Sequence, residues 1–245
     1  MQEFVNIIVG ALIGILVNYL ADVLPITRKF SRPVCLNCGY PFSIKEYLFT
    51  FKCPKCGNKT PARVIIVLIL AIICSVVLKF FPLGSLSYWA ALPLLTFLGV
   101  ILVVDIEYRV VLTETSYAGL VIMFVYGIIL HGFFPTLLGG LAGLLIMLAL
   151  YYLGILFNKL MGRMRGQEIE EVALGFGDVY VTTFLGFLVG WPGIIAVLFI
   201  AIFASGAFSL LYVLVKLITR KYQSFSAIPY TPFLILAAIS FFYIS

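Results

Sequence analysis

Charge is what this chain has least of. Only 11% of its 245 residues are Asp, Glu, Lys or Arg, 63% are apolar, and the mean hydropathy is +1.18. A water-soluble domain cannot cover that much apolar side chain with so little polar surface, so lipid is the solvent that fits. In lipid every backbone polar group must be satisfied internally, which leaves helices or a closed barrel. The apolar runs are continuous rather than alternating, and that selects helices. Histidine is nearly missing too: His131 is the single one. It falls on the outer side in the topology below, so the inner face offers no Ser-His-Asp or Cys-His arrangement. The opening Met1-Gln2-Glu3 lacks the basic segment of a secretory signal, and the apolar stretch behind it is long. It therefore reads as a retained span.

Runs of about 17 to 25 apolar residues predict eight spans, near 4–24, 63–81, 87–104, 115–132, 135–158, 178–190, 192–218 and 231–245. The sixth and eighth are short for a full crossing. Alternate loops divide the basic residues fifteen to one: Arg28 through Arg63, Arg109, Lys159, Arg163, Arg165, Lys216, Arg220 and Lys221 on one side, Lys79 alone on the other. By the positive-inside rule the N-terminus faces out and the basic loops face the cytoplasm. Three regions result: a first transmembrane helix (1–26), a polar cytoplasmic loop (27–62) and a membrane domain of about seven helices (63–245). Asp105 ends an outward-to-inward span and Asp178 begins an inward-to-outward one, so both acids fall at the cytoplasmic boundary. Trp89 and Trp191 fall near outer boundaries, where aromatic residues anchor spans.

Between Arg28 and Arg63 the chain carries eight of its sixteen basic residues and four of its five cysteines. Cys35-Leu-Asn-Cys38 and Cys53-Pro-Lys-Cys56, separated by fourteen residues and each followed by glycine (Gly39, Gly57), have the spacing of a four-thiolate zinc ribbon. Four protein ligands leave no open position, so the expected role is structural. Lys52, Lys55 and Lys59 would offset the negative tetrathiolate. The alternative, two disulfides, is disfavoured in a reducing cytoplasm. Cys74, inside the second span, reads as a packing residue.

Gly175-Phe176-Gly177-Asp178 stands ahead of an apolar run. Its glycines would allow close approach and strained angles, and an acid at a membrane boundary is a functional candidate. The structural alternative makes Asp178 a helix N-cap. Val104-Asp105-Ile106-Glu107 has its own alternative, an ion pair with Arg109 four residues on. Taken together, two carboxylates sharing one proton can act as general base on water and general acid toward a leaving amide. Gly139-x-x-x-Gly143 suits close helix contact in a membrane, and Glu168, Glu170 and Glu171 read as a solvated loop face.

The order of these pieces resembles the bacterial type IV prepilin leader peptidases, membrane aspartyl proteases with a Gly-x-Gly-Asp motif. Gly14, Asn18 and Pro25 are similar to the family's opening helix, the cysteine knuckles to its cytoplasmic loop, and Pro229-Tyr230-Thr231-Pro232-Phe233 to a signature before the last span. The resemblance implies catalytic Asp105 and Asp178, supported by Gly175 and Gly177, and zinc on Cys35, Cys38, Cys53 and Cys56. It implies type IV prepilin or pseudopilin precursors as substrates, cut at the cytoplasmic face of the inner membrane, with the bilayer and no nucleic acid as the other partner. Many members also methylate the new N-terminus with S-adenosylmethionine; no constellation here identifies that site. The chain departs from the family at Val111-Leu112-Thr113-Glu114, where a Pro-Asp pair is common, and at Tyr180, where a lysine is. A different class remains as the alternative: a non-catalytic scaffold or transporter with the ribbon as a docking module.

Overall fold

The computed structural model describes residues 2–35, 37–49, 52–57, 62–165, 175–219 and 229–244. Among these the protein is all-helical, and the chain divides into two compact units, Met1–Tyr108 and Arg109–Ser245.

The first unit holds α1 (Gln2–Thr27), the short α2 (Ile44–Phe49), α3 (Ala62–Phe80) and α4 (Tyr88–Tyr108). α1 packs along α3 with little between the backbones: a Cβ on Gly14 would come within 3.0 Å of Leu68 Cα. Association in lipid lacks the water-driven term and rests on such close packing plus hydrogen bonds. Asn18, 2% exposed, supplies the latter by donating through Nδ2 to the carbonyls of Gly14 (2.9 Å) and Val64 (3.1 Å). Further along the same pair, Ser75 bonds the Asn6 carbonyl and the Tyr88 hydroxyl, both at 2.8 Å.

The second unit holds α5 (Thr113–His131), α6 (Phe133–Arg165), α7 (Phe176–Val189), α8 (Gly193–Ile218) and α9 (Thr231–Ile244). α7 is its core: Val181, Phe184 and Leu185 are fully buried. The glycine pair read from the sequence is what brings α6 against it. A Cβ on Gly139 would lie 2.4 Å from the Gly186 carbonyl oxygen, and one on Gly143 would lie 2.7 Å from that of Thr182. At one end of this unit the Trp191 amide donates to the Pro135 carbonyl (2.9 Å). At the other, the first turns of α7 and α9 meet through Asp178 and Thr231. Helices predicted to run in the same sense thus begin at the same level.

Among the described residues six helices, α1, α3, α4, α5, α6 and α8, are long and apolar enough to cross a membrane, and α7 and α9 are shorter apolar helices. At 14 residues α7 is about 21 Å long, below a hydrocarbon core of about 30 Å, as its short apolar run implied. α6 runs beyond the predicted limit at 158 to Arg165 and carries Lys159 with it. Cys74 is exposed on α3 rather than packed inside. Trp89 and Trp191 are both exposed, in the first turn of α4 and just past the end of α7. Lys59, Arg220, Lys221 and the Glu168, Glu170 and Glu171 cluster lie outside the described residues.

Candidate active site

Asp178 is held from two sides. α7 begins after Gly175, whose carbonyl accepts from the Asp178 amide at 3.1 Å; Asp178 Oδ2 in turn accepts from the Gly175 amide at 3.2 Å. The acid therefore sits at the third helical position and reaches back to the cap, and Gly175 itself is the N-cap. The reading of Asp178 as the N-cap is corrected to this half of a capping box, in which the carboxylate satisfies one of the helix's orphan donors. Its second oxygen, Oδ1, accepts from Thr231 Oγ1 at 2.9 Å, and Thr231 is completely buried. Beside it, Tyr230 has its phenol pushed up to about 12 by burial and by the nearby Asp178 charge.

The two glycines of the motif differ. Gly175 has an ordinary φ of −75°, and a Cβ there would meet nothing nearer than Asp178 Oδ2 at 3.7 Å. Gly177 is the close approach, for its Cβ would lie 2.8 Å from Val111 Cβ. The strained angles expected from a glycine pair are absent, because helix entry needs none. Between the glycines, Phe176 stacks edge-on with Tyr151 (5.5 Å) and Tyr180 (5.4 Å), and Tyr180 continues to Tyr117 (6.2 Å). Tyr180 is thus one ring of a packed aromatic cluster.

Asp105, in the first unit, is 6% exposed in the last turn of α4, next to the buried Val103 and Val104. α4 ends at Tyr108, so Arg109 lies beyond the helix, with φ +54°. The feature that sequence reasoning missed lies two residues on. Glu107 and Asp22, at the ends of α4 and α1, both pair with Arg63 at the start of α3. Tyr47 of α2 donates to the other oxygen of Asp22 at 2.6 Å. Opposite charges at three helix ends of equal predicted depth were the available signal.

The four cysteines come together with all sulfurs within 4.8 Å of one another. Cys35 and Cys56 Sγ are 3.7 Å apart, and Cys38 and Cys53 Sγ 3.6 Å, close to the roughly 3.8 Å edge of a tetrahedron with metal–sulfur bonds of about 2.3 Å. They are free thiols, and the disulfide alternative is not the arrangement found. Each knuckle closes by the same turn: Gly39 and Gly57 both have φ +68°, and their amides donate to the Cys35 and Cys53 carbonyls at 2.8 and 2.9 Å. A left-handed residue at that position favours glycine. The cluster is positioned to bind a metal ion.

The class defined so far is a multi-pass helical membrane protein with a four-cysteine metal-binding loop and an acid at the end of an apolar helix in each unit. Residues 92–210 match the model of the type IV leader peptidase family. That stretch includes both aspartates and both motif glycines, and it agrees with the resemblance drawn from the motifs. No curated protein and no solved structure gives a significant match.

Proposed function

We propose that this protein is a prepilin-type leader peptidase in which Asp105 and Asp178 form the catalytic pair, Gly175 and Gly177 shape the entry to the second, and residues 63–245 are the peptidase membrane domain. The observation that carries the reading is the family match across both acids, joined to the charge asymmetry, which supports a cytoplasmic position for both by the positive-inside rule. The substrate class is a type IV prepilin or pseudopilin precursor, with a basic leader in the cytoplasm and an apolar helix in the bilayer.

One aspartate, ionised, takes a proton from water as the water oxygen attacks the scissile carbonyl carbon. The other, protonated, gives its proton to the amide nitrogen as the C–N bond breaks. No covalent intermediate forms. Thr231 and the Gly175 amide would hold the Asp178 carboxylate in one orientation throughout. Zinc is the metal proposed for the four thiolates, where it would cross-link two knuckles that bury little apolar surface of their own. Nothing among the described residues supports a methyl-donor site, and the proposal is confined to cleavage.

Asp105→Asn and Asp178→Asn, each co-expressed with candidate precursors, should abolish leader removal, read by mass spectrometry, while the protein remains in the membrane. Full processing by either variant would overturn the catalytic pair. If the parent chain processes no precursor and both substitutions are silent, the scaffold or transporter reading takes its place.

A further inference from the structure

A catalytic residue in the last turn of a helix has a mechanical difficulty. The final four carbonyls of a helix lack intrahelical donors, so that turn frays most readily. α4 ends at Tyr108, which places Asp105 in this last turn. The turn contains no basic residue of its own to meet the negative end of the helix dipole. What the turn has instead is a side-chain tether to α3. Arg63 sends Nη1 to Glu107 Oε2 and Nη2 to Asp22 Oδ1. Its guanidinium bridges two helix ends rather than clasping one carboxylate, and the side chain is only 14% exposed. The bond to Asp22 is partly buried and so less screened than a surface pair, while the bond to Glu107 lies at the surface.

The bridge continues into the cysteine loop. Asp22 divides its oxygens, one to Arg63 and the other to the Tyr47 hydroxyl. Burial, and after it the Asp22 charge, holds that phenol well above its usual range, so it stays a donor. Tyr47 stacks on Phe42 (6.5 Å), Phe42 on Tyr40 (6.0 Å), and the Tyr40 carbonyl accepts from the Cys35 amide at 2.9 Å. A continuous series of contacts thus runs from the first cysteine knuckle to the residue two places beyond Asp105.

We propose that Arg63 is a positioning residue that, by bridging Asp22 and Glu107, couples the cysteine loop through Tyr47 to the last turn of α4 and holds Asp105 in place. The inference rests on the catalytic reading of Asp105, but its structural half stands separately. Breaking the series anywhere, even in the loop far along the chain, frees the same helical turn.

The test uses the full chain in lipid nanodiscs, comparing the parent with Arg63→Met, Tyr47→Phe, Glu107→Gln and the Tyr47→Phe/Glu107→Gln double variant. Amide exchange in the last turn of α4 should quicken about tenfold in each single variant, with the middle of α4 unchanged. On a precursor substrate, kcat should fall about tenfold with KM nearly constant, and the double variant should lose several-fold less than the product of the single losses. Tyr47→Phe removes one oxygen atom, so it answers the question even where Arg63→Met does not fold. Parental exchange in the last turn of Tyr47→Phe, or strictly multiplicative losses in the double variant, would overturn the coupling. If the parent cleaves nothing, the peptidase reading falls, and the exchange measurement alone decides whether the series holds the turn.

Discussion

Thr231 donates its hydroxyl hydrogen to Asp178 Oδ1 across 2.9 Å, from the first turn of α9 to the first turn of α7. The two residues are 53 positions apart in sequence, yet Thr231 is as buried as any residue in the protein. A hydrogen bond to a carboxylate is worth about 1.5–3 kcal/mol. Replacing Thr231 with the similarly shaped Val removes the donor with little change of volume. Thr231→Val should therefore lower kcat on a precursor by about ten- to a hundred-fold, whereas Thr231→Ser, which keeps the hydroxyl, should stay within a few-fold of the parent. Equal losses in both variants would show that the methyl group, and not the donor, matters.

The glycines flanking Phe176 should respond unequally. Gly177→Ala drives a Cβ to 2.8 Å from Val111 Cβ, while at Gly175 the nearest neighbour is 3.7 Å away. Overpacking of this kind costs about 1–3 kcal/mol and would displace the turn that carries Asp178. Cleavage should drop sharply in Gly177→Ala and recover substantially when Val111→Ala is added. Gly175→Ala should lower thermal stability by less than about 1 kcal/mol. Failure of the second substitution to restore cleavage would disconnect the Gly177 effect from Val111.

The contrast between those glycines marks where sequence reasoning stops. The pattern around Asp178 could be found because a Gly-x-Gly-Asp tetrapeptide ahead of an apolar run is local, and so is the spacing of Cys35, Cys38, Cys53 and Cys56. Spans were legible because lipid imposes a length and a composition on each one. The contacts of Arg63 were not, since they join three helix ends across 41 and 44 residues of sequence. Nor was α2, whose 6 residues are too few to show a helical period. The capping alternative puts Asp178 at the N-cap, three positions from its place in the helix, because which residue caps a helix depends on where the backbone bends. Thr231 was quoted only as part of a proline-rich segment; nothing local says that its hydroxyl reaches α7.

The α6–α7 contact predicts a graded effect along one helix. Gly139 and Gly143 face the α7 backbone at distances no Cβ tolerates, whereas a Cβ on Gly154 would meet nothing within 4 Å. Gly143→Val should destabilise the protein by about 1–3 kcal/mol or more, read as a lower melting temperature in detergent. Gly154→Ala should be neutral, or stabilising by up to about 1 kcal/mol through helix propensity. A reversed order would mean that α6 does not pack in this register.

The cysteine cluster makes the last prediction, and it is independent of any catalysis. Its sulfurs already stand at tetrahedral spacing, 3.6 to 3.7 Å across the two knuckles. Four thiolates at that distance repel one another unless a cation neutralises them, and the nearby Lys52 and Lys55 are exposed to solvent. Purified protein should hold about one zinc per chain, as a closed four-thiolate site requires. Cys35→Ser and Cys53→Ser should each remove most of it, while Cys74→Ser, on the exposed face of α3, should leave it unchanged. Because the ligands must be deprotonated to bind, retention of the metal should also decline as pH falls. Protease should then cut the loop between α1 and α3 in the metal-free variants well before it cuts the parent. Loss of zinc in Cys74→Ser with retention in Cys35→Ser would place the metal elsewhere. Full occupancy in all three would mean that the knuckles hold their turns without it.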